Sequence, residues 1–253
     1  MKKIYILFLV FLSHNLFAQG SSKTTLLITA HLEGKVGYTQ GTSFQKFVTS
    51  YNLQNPLNET KLRNFRATAG YSFGCDVIYG MGIMMGYYQH YTSAMATSKI
   101  NTYTTREFKL QQNTIGMDFG YGTITKNGGG GIYFGIYVAN ANIIAAMKYR
   151  DGYRSIGTDA GLNGIYNAFT LASCVGGKIY RFKGPVGFTA AMRWCPIFGN
   201  VAFNDQVYDK SLPEDLVAYQ VVGGWPYYKG NDVLSRFQSI YLDFGIAFKL
   251  YNL

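Results

Sequence analysis

Glu33, Lys35, Asp76, Asp118, Lys178, Arg193, Asp243 and Lys249 occupy alternate positions in segments whose intervening residues are mostly apolar. Successive side chains of a β-strand point to opposite faces. That alternation collects carboxylates and cations on one surface and leaves the other for apolar contact. Charges gathered this way either relay protons and ions or pair into an electrostatic plug. An unpaired buried charge is costly, so pairing is the expectation, and the eight residues form a predicted internal charge network.

Other reactive side chains are sparse. His31 and His90 could act as bases and Ser93 as a nucleophile, but His90 and Ser93 are three apart on a predicted strand and so point to opposite faces. A nucleophilic serine needs a base in hydrogen-bonding reach and a third group orienting that base, and no motif supplies the set. With His14, the histidines form no metal-ligand cluster; no metal and no cofactor are expected. The glycine run 128–131 lacks the strand-loop-helix setting and the following lysine and hydroxyl residue of a phosphate-cradling loop. Residues 126–130 read instead as a hairpin turn, where glycine and asparagine accept positive φ. Cys75, Cys174 and Cys195 fit neither a disulfide framework nor a zinc spacing. Cys174 and Cys195 lie on neighbouring predicted strands and could meet across the turn near Gly184 and Pro185, but packed thiols are the expectation.

The connection over 199–235 carries Trp225, Tyr227 and Tyr228 beside Lys229, a mixture of rigid aromatics and turn residues suited to binding a protein or glycan. Self-packing over the end of the fold is the alternative. Within it, Ser211-Leu212-Pro213-Glu214 has capping-box spacing and predicts a short helix over 212–219.

The elements that must position these groups are eight alternating stretches. Strands are predicted over about 24–36, 66–79, 83–94, 106–124, 164–180 and 239–253, with two more starting near Ile132 and Val186. Leu26, Ile28, Ala30 and Leu32 of the first, and Ile240, Leu242, Phe244, Ile246, Phe248 and Leu250 of the last, mark the apolar face. Both faces of 83–94 are apolar, which leaves its register open. Long connections (37–65, 95–105, 148–163, 199–235) alternate with short ones (80–82, 126–130, 181–185).

A lipid-exposed strand must satisfy its backbone through neighbours, so only a closed sheet crosses hydrocarbon. Eight is an even number, so both termini and all three short turns fall on one side and the long loops on the other, as in bacterial outer-membrane barrels. The predicted fold is all-β: a membrane-spanning, eight-stranded antiparallel up-and-down β-barrel with short periplasmic turns and long extracellular loops. A soluble lipocalin-type barrel is the rival, but it would turn aromatic faces to water.

Composition agrees. Lys2 and Lys3, the apolar run 4–12 and Leu16-Phe17-Ala18 have the three parts of a signal peptide over 1–18, leaving 19–253 as a single barrel domain. Without Lys2 and Lys3 the formal charge falls from +10 to +8, and the remaining cations are scattered rather than striped, so nucleic acid is not an expected partner. Outer-membrane lipid headgroups and lipopolysaccharide are. Beyond residue 18 no apolar run is long enough for a transmembrane helix; the nearest candidate, 132–147, is interrupted by Asn140 and Asn142.

On these residues the chain resembles the small eight-stranded outer-membrane barrels, such as the transmembrane domain of OmpA and the OmpX family. The resemblance covers the whole mature chain and rests on pattern and topology. The final strand is similar to the segment such proteins present to the barrel-insertion machinery, but its outward series ends at Leu250 with Asn252 next in line, and leucine stands last in place of an aromatic. The resemblance implies an integral outer-membrane protein of a Gram-negative cell. Its implied role is non-enzymatic, through extracellular loops in adhesion or binding, or as an accessory subunit of an envelope complex. The alternatives are a lipid-A deacylase or phospholipase built on His31, His90 or Ser93, and a narrow small-solute channel. An eight-stranded interior is just filled by side chains, which argues against a wide pore.

Overall fold

The computed structural model describes residues 26–41, 44–80, 82–125, 127–155, 164–197, 201–202, 234–235 and 237–252. The expected signal peptide 1–18, the helix 212–219 and the loop residues Trp225, Tyr227, Tyr228 and Lys229 lie outside them. Eight long strands dominate: β1 (Leu26–Gly41), β2 (Ala67–Tyr79), β3 (Gly82–Asn101), β4 (Thr104–Thr125), β5 (Gly128–Tyr149), β6 (Gly164–Lys183), β7 (Val186–Pro196) and β8 (Phe237–Asn252). One helix, α1 (Phe44–Gln54), lies between β1 and β2. Each strand pairs antiparallel with the next, and β8 pairs with β1 from Leu27↔Asn252 to Gly41↔Phe237, so the sheet closes on itself and leaves no long strand with a free edge.

The two-residue alternation decides the faces. On β1, Leu27, Thr29, His31, Glu33 and Lys35 are buried, whereas Leu32 and Val36 are 58% and 54% exposed. On β8, Ile240, Leu242, Phe244, Ile246, Phe248 and Leu250 are all exposed. These ten residue steps rise ~33 Å along the strand, or about 25 Å along a barrel axis at the usual tilt near 40°, the height of a lipid-facing apolar band. Outward Phe73, Phe119, Phe134, Phe188 and Trp194 continue the band around the ring. Tyr79, Tyr121 and Tyr251 stand exposed towards the short-turn end, where interfacial tyrosines anchor.

Three expectations are corrected. The connection expected over 95–105 is not a long loop: β3 and β4 run on to Asn101 and from Thr104, and they form a tall hairpin with inward Ala94, Ala96, Phe108 and Leu110. The glycine run is not a turn: Thr125 pairs with Gly128, and Gly129 to Gly131 continue the ladder between β4 and β6. Positive φ is found instead at Gly80 and Gly184 in the other two short turns. The register of β3, unreadable from its sequence, is set by β2: Asp76 faces Gly86 and Ser72 faces His90, which sends Met84, Tyr88, His90 and Thr92 inward.

The long connection expected over 37–65 holds the third departure: β1 runs on to Gly41, and α1 follows. Phe44, Phe47, Val48 and Tyr51 stand at i, i+3, i+4 and i+7, which puts them on one face of α1, and all four are buried. The helix closes where Asn55 donates its backbone N–H to Tyr51 O at 3.0 Å and Pro56 follows, since the residue before proline is biased away from helix.

Candidate functional site

The barrel interior has two layers of different chemistry. At mid-height all eight strands contribute to one ionic lace. Arg193 of β7 is fully buried and reaches three carboxylates: its Nε donates to Asp243 at 2.6 Å, Nη1 to Asp118 at 3.3 Å, and Nη2 lies 3.5 Å from Glu33. Lys35 donates to Asp243 at 2.6 Å. Lys178 of β6 lies 3.4 Å from both Glu33 and Asp76. His31 bridges the same two acids, with Nδ1 3.5 Å from Glu33 and Nε2 3.3 Å from Asp76.

Hydroxyls complete the carboxylate shells. Ser72 and Thr189 each donate to Glu33 at 3.0 Å, Tyr88 donates to Asp76 at 2.5 Å, and Tyr137 donates to Asp118. The guanidinium of Arg193 also lies over the rings of Tyr88 and Tyr133, 4.5 and 5.0 Å from their centroids. Inward glycines make room for this crowding. A Cβ on Gly86 would collide with Asp76 and Tyr88, and one on Gly135 with Asp118 and Tyr137. Buried charges held this way are each paired and hydrogen-bonded, the condition under which their desolvation is offset.

Of the eight charges singled out from the sequence, the structure brings together Glu33, Lys35, Asp76, Asp118, Lys178, Arg193 and Asp243. Lys249 stands apart. It is half-buried near the short-turn end, with its ammonium 5.1 Å from the Phe182 ring centroid, six residues and therefore ~20 Å along β8 from Asp243. His31, Tyr88, Tyr133 and Tyr137 belong to the lace although the sequence did not single them out for it. The inward phase of the strand was the available signal for His31, Tyr133 and Tyr137; Tyr88 lies on β3, whose phase the sequence left open.

The histidine-serine candidates are separated. His90 is inside the barrel, stacked on Tyr88 at 5.4 Å, with neither ring nitrogen hydrogen-bonded, whereas Ser93 lies on the opposite face of β3. Among the described residues no group of three or more His, Cys, Asp or Glu is placed to hold a metal ion. Above the lace, His90, Lys35, Thr92, Gln112 and Tyr241 line a cavity of about 20 Å3, of the order of one water.

At the end opposite the short turns, here called the mouth, the filling becomes apolar. Phe44 of α1 stacks on Phe65 at 4.4 Å, Phe47 and Tyr51 meet Phe108 edge-on at 5.3 and 6.2 Å, and Phe65 meets Phe237 at 6.0 Å. The strap 55–66 returns across this cluster. Asn52 fastens it by donating to Leu62 O at 3.0 Å and accepting from Leu62 N at 2.8 Å. Its far side is tied to the tall hairpin through Ser98, which donates to Thr60 O at 2.7 Å, and through the Lys99–Glu59 ion pair at 2.6 Å.

Between α1, the strap and the rim of β1 runs a groove of about 610 Å3, within the range of ligand-binding clefts. Its walls carry Lys61, Arg63 and Arg66, all exposed, and among the described residues no carboxylate; Asn52, Asn64, Gln40 and Gln45 add polar groups. Lys61 is held in place by donating to the carbonyls of Asn55 and Pro56 at 3.2 and 2.8 Å. The groove was not legible in the sequence, because its cations are separated by apolar Leu62 and Phe65, whose inward packing turns them to one outer surface.

No protein family and no curated protein matches this sequence. Solved structures resemble it in overall course. Ail, the attachment invasion locus protein of Yersinia pestis, in complex with the heparin analogue sucrose octasulfate, is 8% identical with a TM-score of 0.39, over 88% of this chain and 99% of that one. Neisserial surface protein A is 10% identical with a TM-score of 0.41, over 88% and 97%. The outer membrane protease OmpT of Escherichia coli is 6% identical with a TM-score of 0.38, over 91% and 98%. At such values the eight-stranded barrel rests on its own closed ladder of strand pairs.

Proposed function

We propose that this chain is an integral outer-membrane barrel, exported by a cleaved signal peptide, that does not conduct solutes and works from its extracellular surface as a binding or adhesion protein. The observation that carries this reading is the double closure of the interior, by the ionic lace at mid-height and the aromatic cap at the mouth. With the bore filled, the mouth surface is what remains for work. The apolar band supports a membrane site, and the short turns opposite long connections support a periplasmic side and an extracellular one.

On that surface the basic groove favours an anionic saccharide, either the phosphorylated headgroup of outer-leaflet glycolipid or a free polyanionic glycan. Exposed Lys and Arg attract both at short range. The test uses full-length protein folded in detergent, with lipopolysaccharide in one arm and a sulfated oligosaccharide in the other, at low and physiological salt. Binding that falls at least tenfold in a Lys61→Ala/Arg63→Ala/Arg66→Ala variant, with the barrel still resistant to SDS, supports the groove; the arm that responds names the source. Equal binding by both proteins, or none in either arm, overturns it.

A further inference from the structure

We propose that Cys174 and Cys195 form a cross-strand disulfide that fastens β6 to β7 near the mouth. The β6–β7 ladder runs from Lys183↔Val186 to Val175↔Trp194 without a register shift, and the bridge Ala172↔Ile197 keeps the same register. The pair between them is Cys174 opposite Cys195.

Two backbone hydrogen bonds identify which kind of pair this is. Phe182 donates its N–H to Asn127 O at 2.7 Å, towards β5. Backbone direction alternates along a strand, so Cys174, eight residues earlier, also turns its N–H and C=O towards β5. Ile197 donates to Phe237 O at 2.8 Å, towards β8, and Cys195, two residues earlier, turns the same way. The two cysteines therefore direct their backbone groups away from each other. Such non-hydrogen-bonded pairs have Cα atoms ~4.5 Å apart and the closest side chains in an antiparallel sheet. That spacing lies inside the ~4.4–6.8 Å range a disulfide accepts.

Both side chains face the interior, with Cys174 fully buried and Cys195 in the wall of the small cavity beside His90, while Cys75 is exposed on the outer face. The structure holds all three as free thiols. The same parity shows why a covalent link belongs here. Pro196 directs its backbone towards β6 but has no N–H to donate, and the continuous ladder stops at Val175↔Trp194. β7 is also the shortest barrel strand, 11 residues against 20 for β6. A bond at 174–195 closes the seam where the proline opens it.

Formation removes two protons and two electrons from the two thiols as one S–S bond forms. A thiolate of the pair attacks the disulfide of an oxidised dithiol oxidoreductase, and the mixed disulfide resolves on the second cysteine, leaving the oxidant as a dithiol. The oxidising compartment this requires rests on the outer-membrane reading above.

Full-length protein, acid-quenched from cell envelopes and unfolded, is treated with a maleimide-polymer reagent before and after reduction. One adduct per chain without reductant and three after reduction are expected, since the chain has three cysteines. A Cys195→Ser variant should show two adducts in either state. Three adducts without reductant from envelope-located protein overturn the disulfide and leave the membrane reading intact. If the protein is not in the envelope, the membrane reading fails. The disulfide is then decided on detergent-refolded protein in a glutathione redox buffer, where one adduct supports it and three overturn it. A covalent dimer abolished by Cys75→Ser, with Cys174 and Cys195 both labelled, overturns it as well.

Discussion

The mid-height lace and the mouth cap fill the same bore by opposite means. At mid-height the fillers are Arg193, Lys178, Lys35 and their carboxylates, each on a different turn of the alternation. At the mouth they are Phe44, Phe47, Tyr51, Phe65, Phe108 and Phe237, brought together from a helix, a strap and two strands. Strands alone can supply the first filling, because every inward position already points at the axis. The second is built by a helix and a strap folded across the opening, whose Phe44, Phe47, Tyr51 and Phe65 reach Phe108 of β4 and Phe237 of β8. A narrow barrel can thus be closed by charge at mid-height and by apolar burial at its mouth.

The largest expected effect is on the lace. Arg193→Met leaves Glu33, Asp118 and Asp243 without their shared cation, and breaking a buried ion pair typically costs 3–5 kcal/mol. Urea unfolding in lipid vesicles should register roughly that loss; a loss below ~1 kcal/mol would show that the lace contributes little to holding the ring. Phe108→Ala removes the ring on which Phe47 and Tyr51 rest. Large aromatic deletions in cores cost about 3–5 kcal/mol, but here the loss should fall on docking of the cap. Proteolysis within 44–66 should quicken at least ~10-fold by that free energy with the barrel's urea midpoint little changed. Equal changes in both measurements would make lace and cap one cooperative unit.

In planar bilayers the intact protein and a variant lacking residues 44–54 should both be silent, because the lace lies beneath the cap. Conductance steps in the deletion variant alone would move the seal from charge to aromatics. The smallest effect is at the Lys99–Glu59 pair on the outside of the cap. The hydrogen bond from Lys99 holds the Glu59 carboxyl below its ordinary value. A depressed folded value means the pair's contribution is present above the unfolded carboxylate value near 4.3 and fades as pH falls below it. Cleavage in the strap should therefore rise modestly in acid, and Lys99→Ala should abolish that pH dependence. An unchanged acid response in the variant would assign it to another group.

Much of the barrel was legible because its pattern is local and repeated. Inward Thr68, Ser72 and Asp76 on β2 and outward Ile115, Met117 and Phe119 on β4 each declare their face by neighbours two residues away. The tall β3–β4 hairpin was missed because Thr97, Ser98 and Lys99 read as loop residues, while their pairing with Glu107, Arg106 and Thr105 makes them strand. The glycine run misled for the converse reason, since glycine is a turn signal only when no neighbouring strand claims it. The helical spacing of Phe44, Phe47, Val48 and Tyr51 was present but sat inside a stretch rich in turn residues.

By itself the amino-acid order determined the number of strands, the faces of those that alternate clearly and the ionic character of what goes inside, since a period of two needs no partner to be read; the face of β3 had to wait for its pairing with β2. The tertiary structure alone decided that Arg193 meets acids from β1, β4 and β8, that Lys249 falls below the lace, and that three cations of one strap share a groove. Those meetings depend on the register accumulated around a closed ring and on the fold of a cap across it. Both are sums over many strand pairs, and no single segment carries them.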